Sequence, residues 1–394
     1  MRTLIIPDIH LGKSLNIGKD SSGIGMNSRV IDQKDLLYFA KQVAIDKNVS
    51  RIDVLGDIWE DTNPKPAVVY VFLDWLLSCT NSNIKVNIIH GNHDYVRSGA
   101  NKISMLDCVD VSKINNCNIF NSITTVLEDN VATTYVPFTD RKQLEVATAN
   151  EAINKLYDEI EKSASKFKAK YRVIVGHLAL ENSIWIGDEI ADDLNEIFCP
   201  LSMFDNFDFV FMGHIHKPQL LKEKPFIAHV GSLDRTAFTG PDSGDKSLLL
   251  FDSDTGTVDK ITLPCRNLCD FSLVIPKDVE DETEFVINEI RKQKSKLKNS
   301  ILRIKIEGSS ADTNYVDRNK IYTSLNKLGV FHISSLNEIK YNQQVLTKNI
   351  DIDEEMDHLK AVDFFVGALE EDEKFKADVA SQCKFIIKSV KESK

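Results

Sequence analysis

At 394 residues with 42% hydrophobic side chains, the chain has ordinary globular composition and is too long for one typical domain. A formal net charge of −11 excludes nucleic-acid binding through bulk charge and leaves only a locally basic surface for that purpose. Seven cysteines with no CxxC pair, and no partners at zinc-site spacing near Cys265 and Cys269, read as free thiols in a reducing compartment.

The N-terminus, MRTLIIPDIHLG, enters a strand-like run at once and lacks signal-peptide architecture. No apolar run approaches the ~20 residues of a membrane span, so the expected location is cytoplasmic. Short β-rich runs follow at Thr3–Ile6, Ile52–Leu55, Ile84–Ile89, Arg172–Val175, Phe207–Met212, Phe226–Val230 and Ser247–Phe251. Helical patterns lie between several of them, at Ile31–Asp46, Ala67–Cys79 and within Arg141–Lys168. Alternation of strand and helix predicts an α/β domain, and the closer late strands predict an antiparallel or mixed part. A two-sheet sandwich flanked by helices (α/β/β/α) accommodates both, over residues 1–268.

Beyond Leu263–Cys269 the pattern becomes strand (Phe271–Ile275), helix (Glu280–Lys294), strand (Ile301–Glu307), helix (Val316–Leu328) and strand (Val330–Ser334). This predicts a small α/β capping module over 269–340. The remainder, 341–394, carries two helical patterns with apolar stripes, one through Met356, Leu359 and Val362 and one through Val379, Cys383 and Ile386.

Five short motifs each follow a strand-like run: Asp8-Ile9-His10, Gly56-Asp57, Gly91-Asn92-His93-Asp94, Gly176-His177 and Gly213-His214-Ile215-His216. Ligand sites in α/β sheets gather beyond the carboxyl ends of strands, so five strands can deliver these side chains to one place. A lone GD or GH is commonplace, and a single such histidine is more often a core or surface residue; the ordered set of five is not. Carboxylate, imidazole and amide oxygen together suit two divalent ions, Mn²⁺, Fe²⁺ or Zn²⁺ better than Mg²⁺. DxH and GHxH place two ligands on one side of an extended segment, and Asp57 is the natural bridge between two ions.

With these motifs the chain resembles the calcineurin-like metallophosphoesterase superfamily, over about the first two-thirds of its length. Within it, GDIWEDTNPKP (Gly56–Pro66), FDFVFMGHIHKPQ (Phe207–Gln219) and VGSLDRTAFTG (Val230–Gly240) resemble SbcD-type nucleases, the bacterial and phage counterparts of the eukaryotic double-strand-break repair nuclease. The resemblance implies that Asp8, His10, Asp57 and His216 hold one metal ion, and Asp57, Asn92, His177 and His214 the other. Manganese is the expected metal. It further implies that His93 is no ligand but sits near the scissile phosphate and assists the leaving group or stabilises developing charge, with Asp94 orienting it. The implied activity is two-metal hydrolysis of phosphodiester bonds in DNA, especially at ends, by the nuclease subunit of an end-processing complex. The implied partners are an SbcC-type coiled-coil ATPase, docked on the C-terminal helices, and a second copy of the chain through helices near Ala67–Cys79 and Ile103–Val109.

Other readings stand beside these. The same core chemistry serves phosphatases and small-molecule phosphodiesterases, and a non-catalytic scaffold is the alternative of a different class. For DNA speaks a basic stretch including Arg291, Lys292, Lys294, Lys296, Lys298 and Arg303; the blander reading is a solvated helix and loop. His90 and His229 are expected to pack rather than ligate. Arg97, Arg235, Trp59 and Tyr95 are candidates for contact with phosphate or base, or simply for the rim.

Overall fold

The computed structural model describes residues 1–20, 25–95, 103–184, 196–276, 279–308 and 316–340, with single positions between 362 and 384. The strands of the first half are β1 (Arg2–Ile6), β2 (Arg51–Val54), β3 (Lys85–Ile89), β4 (Cys117–Phe120), β5 (Thr124–Glu128), β6 (Val131–Val136), β7 (Tyr171–Gly176), β8 (Ala179–Leu180) and β9 (Phe198–Cys199). Those of the second half are β10 (Phe209–Met212), β11 (Gln219–Lys222), β12 (Phe226–His229), β13 (Ser247–Asp252), β14 (Thr257–Thr262), β15 (Leu268–Val274), β16 (Ile301–Gly308) and β17 (His332–Lys340). The helices are α1 (Ser28–Asp46), α2 (Pro66–Thr80), α3 (Met105–Val111), α4 (Ala149–Ala164), α5 (Glu282–Arg291), α6 (Lys294–Leu297) and α7 (Arg318–Lys327).

Two six-stranded sheets form, in the orders β14-β13-β1-β2-β3-β4 and β11-β12-β10-β7-β6-β5. Strands β1 to β4 run parallel, as do β6, β7, β10 and β12; β13, β14, β5 and β11 pair antiparallel. Side-chain alternation then assigns the layers. Leu4 and Ile6 of β1 pack with Leu37, Phe72 and Trp75 of α1 and α2, whereas Ile5 packs with Val173, Val175 and Phe211 of the other sheet. Ile174 and Val210 face Leu156 and Ile160 of α4. The expected α/β/β/α sandwich is therefore present.

Local chemistry starts the helices where they start. The Asn27 side chain accepts from Arg29 N at the head of α1, Pro66 opens α2, and Thr148 with Glu151 forms a capping box for α4. That box shortens the helical pattern read over Arg141–Lys168. Among the strands unread in the sequence, β6 is central: its VATTYV run buries Thr133 and Thr134 completely.

The chain divides into two compact units. One comprises Met1–Phe271, Ile290–Ile304 and Asn319–Leu336; the other comprises Ser272–Glu289, Lys305–Arg318 and Asn337–Lys394. A third sheet has the order β15-β16-β17. Inside the second unit Ile275 N donates to Glu307 O (2.9 Å) and Asp317 N to the Thr283 hydroxyl (2.9 Å). Most of the tail, with Met356, Leu359 and Ile386, lies outside the described residues. No helix among the described residues is long and apolar enough to cross a membrane.

Candidate metal centre

The five motifs leave the carboxyl ends of β1, β2, β3, β7 and β10, three strands of one sheet and two of the other. Their side chains meet. His10 Nε2 is 3.3 Å from Asp57 Oδ2 and 2.8 Å from His216 Nε2. His177 Nε2 is 3.4 Å from the same Asp57 oxygen and 2.9 Å from Asn92 Oδ1, which is 3.0 Å from His214 Nδ1. Asp57 thus stands between His10 and His216 on one side and His177, Asn92 and His214 on the other. Asp8 accepts from His214 N (2.7 Å) through Oδ2.

The route to this convergence differs from simple alternation along an extended strand. His10, Asp57 and His214 have φ of 46°, 45° and 77°, the left-handed region that non-glycine residues rarely occupy. Each chain therefore turns sharply as it leaves its strand, and backbone strain of this kind gathers at functional sites. Neighbouring glycines permit the crowding. A Cβ on Gly91 would overlap Asp57, and one on Gly213 would overlap the Asp8 carboxylate.

Burial sets the electrostatics. Asp8, His10, Asp57 and His177 are almost wholly buried. Burial raises Asp8 to about 6, and its Oδ1 has no hydrogen-bond partner. Burial would also raise Asp57, but His177 and His10 outweigh it and hold that carboxyl well below its ordinary range. Burial opposes a proton on His10 and His177, yet Asp57 with Glu60 lifts the first to about 9, and Asp57 with Asp8 the second to about 10. His216 is held down to about 4, by burial first. The donor set is thus rich in negative charge and borrows protons to balance it. An orphaned buried carboxylate oxygen, a shared Asp57 oxygen and converging imidazoles fit divalent cations.

His93 sits at the edge. Its N–H donates to Asp57 Oδ1 (2.8 Å), its Nδ1 faces the Glu60 carbonyl (2.8 Å), and its ring lies edge-on to His10 at 4.8 Å. Asp94, expected to orient His93, is engaged elsewhere. Its buried carboxylate accepts from Ile58 N (3.0 Å) and Gly91 N (2.9 Å), bracing the Asp57 loop against the Asn92 loop. Burial raises it to about 7. Its hydrogen bonds thus run to the backbone of two loops.

Sequence reasoning missed several neighbours. Glu60 accepts from His10 Nδ1 (2.8 Å), and Asp242 from His216 Nδ1 (2.8 Å). Gln33 donates to the His10 carbonyl (2.8 Å), and fully buried Lys246 donates to the His216 carbonyl (2.9 Å). Glu60 lay in plain view three residues after Asp57; Asp242 lies in the short turn Pro241–Ser243. Gln33 and Lys246 carry no motif signal. Of the rim candidates, Trp59 is buried edge-on against Phe72. Arg235 is occupied by Asp245, Asn267 and the carbonyls of Gly244 and Cys265. Tyr95 lies against buried His90, ring centroids 5.0 Å apart. His229 gives Nδ1 to the Gly213 carbonyl (3.0 Å), and Arg97 lies outside the described residues.

The pattern of the calcineurin-like phosphoesterase family matches residues 1–218, more than half of the 394. The chain belongs to that family. It is similar, at 25% identity over 316 residues, to the SbcD subunit of the SbcCD nuclease of Staphylococcus epidermidis, covering 75% of this chain and 76% of the relative. It is also similar, at 22% identity over 329 residues, to the DNA double-strand break repair protein Mre11 of Methanococcus maripaludis, covering 75% and 80%. Among solved structures it is similar to a novel archaeal phosphodiesterase, at 14% identity and a TM-score of 0.34, covering 67% of this chain and 100% of that one. Membership of the phosphoesterase family implies metal-dependent phosphoester hydrolysis on a pair of divalent ions, and the grouped Asp8, His10, Asp57, His177 and His216 are candidates to hold them.

Proposed function

We propose that this phosphoesterase is a DNA nuclease, the nuclease subunit of an SbcCD-like end-processing complex. Asp8, His10, Asp57 and His216 hold one ion, and Asp57, Asn92, His177 and His214 the other, with Mn²⁺ the preferred metal. Bound, the pair polarises the phosphoryl oxygens and supplies the nucleophile. The protein's own part is positioning. Asp57 keeps both halves together, and Asp94 ties their loops. The Glu60 carbonyl holds the His93 ring through Nδ1–H, and the doubly protonated ring can pass its Nε2 proton to the leaving oxygen.

The observation that carries the DNA reading is the pair of relatives named as DNA-processing proteins, each matched over 75% of this chain and so beyond the 218 residues of the family pattern. A basic run supports it: Arg291, Lys292, Lys294, Lys296 and Lys298 are all exposed, suited to a phosphate backbone despite the acidic whole. Arg303, farther along, pairs with Asp270 (2.7 Å). A second copy docks through α2 and the segment 103–111 that ends in α3, where Tyr70, Leu77, Ile103 and Val111 are exposed apolar side chains. The segment 341–394 binds the coiled-coil ATPase, and the assembly works in the cytoplasm.

The test is Mn²⁺-dependent degradation of end-labelled single- and double-stranded DNA, alone and with an SbcC-type ATPase supplied. His93→Ala and a generic phosphatase substrate run in parallel. Cleavage of DNA, lost in the variant, supports the nuclease. Hydrolysis of the generic substrate alone moves the assignment to a phosphatase or small-molecule phosphodiesterase.

A further inference from the structure

Each histidine at the centre turns one nitrogen inward and the other to a partner outside. Those outer partners are unequal. His10 Nδ1 is 2.8 Å from Glu60 Oε2, and His216 Nδ1 is 2.8 Å from Asp242 Oδ1. His177 Nδ1 instead meets the neutral Leu55 carbonyl at 2.6 Å, with the Asp8 carboxylate farther off at 3.6 Å, and Glu196 lies 3.3 Å from His214 Nε2, beyond the 2.8 Å of the first two pairs.

We infer that Glu60 and Asp242 are positioning residues which make the Asp8–His10–His216 half the tighter of the two cation sites. The inference rests on the two-metal reading above. An ionised carboxylate only accepts hydrogen bonds, so Nδ1 carries the proton and Nε2 presents its lone pair inward. The negative charge behind the ring also raises the basicity of that lone pair, which a backbone carbonyl does less. Both rings are pinned at their other end as well: Gln33 holds the His10 carbonyl (2.8 Å), and Lys246 holds the His216 carbonyl (2.9 Å). Glu60 shares its charge with Lys13 (3.6 Å) and Asp242 with Lys246 (3.9 Å), which keeps each carboxylate ionised in its partly buried place.

The two acids sit on separate segments, one just after β2 and one between β12 and β13, so each tests the other. Metal-free protein is titrated with Mn²⁺ by calorimetry, and bound metal is counted by mass spectrometry after gel filtration. The native protein is expected to take two ions in separable steps. Glu60→Gln and Asp242→Asn are each expected to weaken the tighter step ~10–100-fold and to leave the weaker step within about threefold. Asp61→Asn, an exposed carboxylate beside Glu60, leaves both steps unchanged. Melting of the metal-free variants at the native temperature shows that the effect is not misfolding. Two equal steps in the native protein, or an unchanged tighter step in a folded variant, overturns the inference. Fewer than two ions bound by the native protein overturns the two-metal reading itself.

Discussion

His10 and His216 face each other Nε2 to Nε2 at 2.8 Å, and each ring has a carboxylate at its back, Glu60 for the first and Asp242 for the second. Two such rings so close can share one positive charge but not carry two. Burial opposes charge on both; Asp57 and Glu60 lift His10 to about 9, whereas His216, desolvated and beside charged His10, stays near 4. In the metal-free centre a proton therefore stands where a cation would.

Cation binding must displace such protons. His10 and His177, raised to about 9 and about 10, are both protonated at pH 7. Binding of Mn²⁺ is expected to release protons there, and the apparent affinity to climb as pH rises from 7 towards 9. Calorimetry in two buffers of different ionisation enthalpy reads the proton count directly. A heat independent of buffer would contradict this account.

Asp57 and His93 should separate binding from turnover. Asp57→Asn is expected to lower bound metal at both positions, because one oxygen lies 3.3 Å from His10 and 3.4 Å from His177. His93→Ala is expected to keep its metal and lose ~10²–10⁴-fold in turnover. Metal analysis beside a cleavage assay distinguishes them; unchanged turnover in the second variant would remove His93 from the reaction.

Gly91→Ala tests the crowding behind the bridge. The added Cβ would overlap both the carboxylate and the backbone N–H of Asp57. The expected cost is about 1–3 kcal/mol in stability together with loss of metal. Urea melts with and without Mn²⁺ measure both, and a native-like variant would show that the loops yield more readily than their packing implies.

Arg29 is fully buried between Asp32 and Asp234, at 2.5 Å from each, and ties α1 to the segment following β12. Replacing it with methionine strands Asp234 without its partner, at a cost of about 3–5 kcal/mol. Denaturant unfolding of Arg29→Met checks the value. A change below about 1 kcal/mol would mean that Asp234 protonates and is accommodated neutral.

Much of this protein was legible in its residues. The apolar runs of β1, β2, β3, β7, β10, β12 and β13 announce strands because burial on both faces demands continuous hydrophobic sequence. The motifs that follow five of them mark the centre because only strand ends can gather such distant residues. Strand β6 escaped notice for a related reason. Its threonines are polar in sequence, and only the folded chain supplies Arg51 Nη2 to Thr133 (3.0 Å) and the Thr125 hydroxyl to Thr134 (2.9 Å).

What the sequence determined by itself was which candidate donors the strand ends carry, since metal-binding side chains are few and their chemistry is intrinsic. What tertiary structure decided was their company. That Glu60 and Asp242 stand behind His10 and His216, that Asp94 braces loops, and that Arg235 is spent on Asp245, Asn267 and backbone carbonyls are facts of through-space proximity. Residues far apart in the chain meet only when two sheets pack and their loops turn, and no local pattern records which outer carboxylate will face which ring.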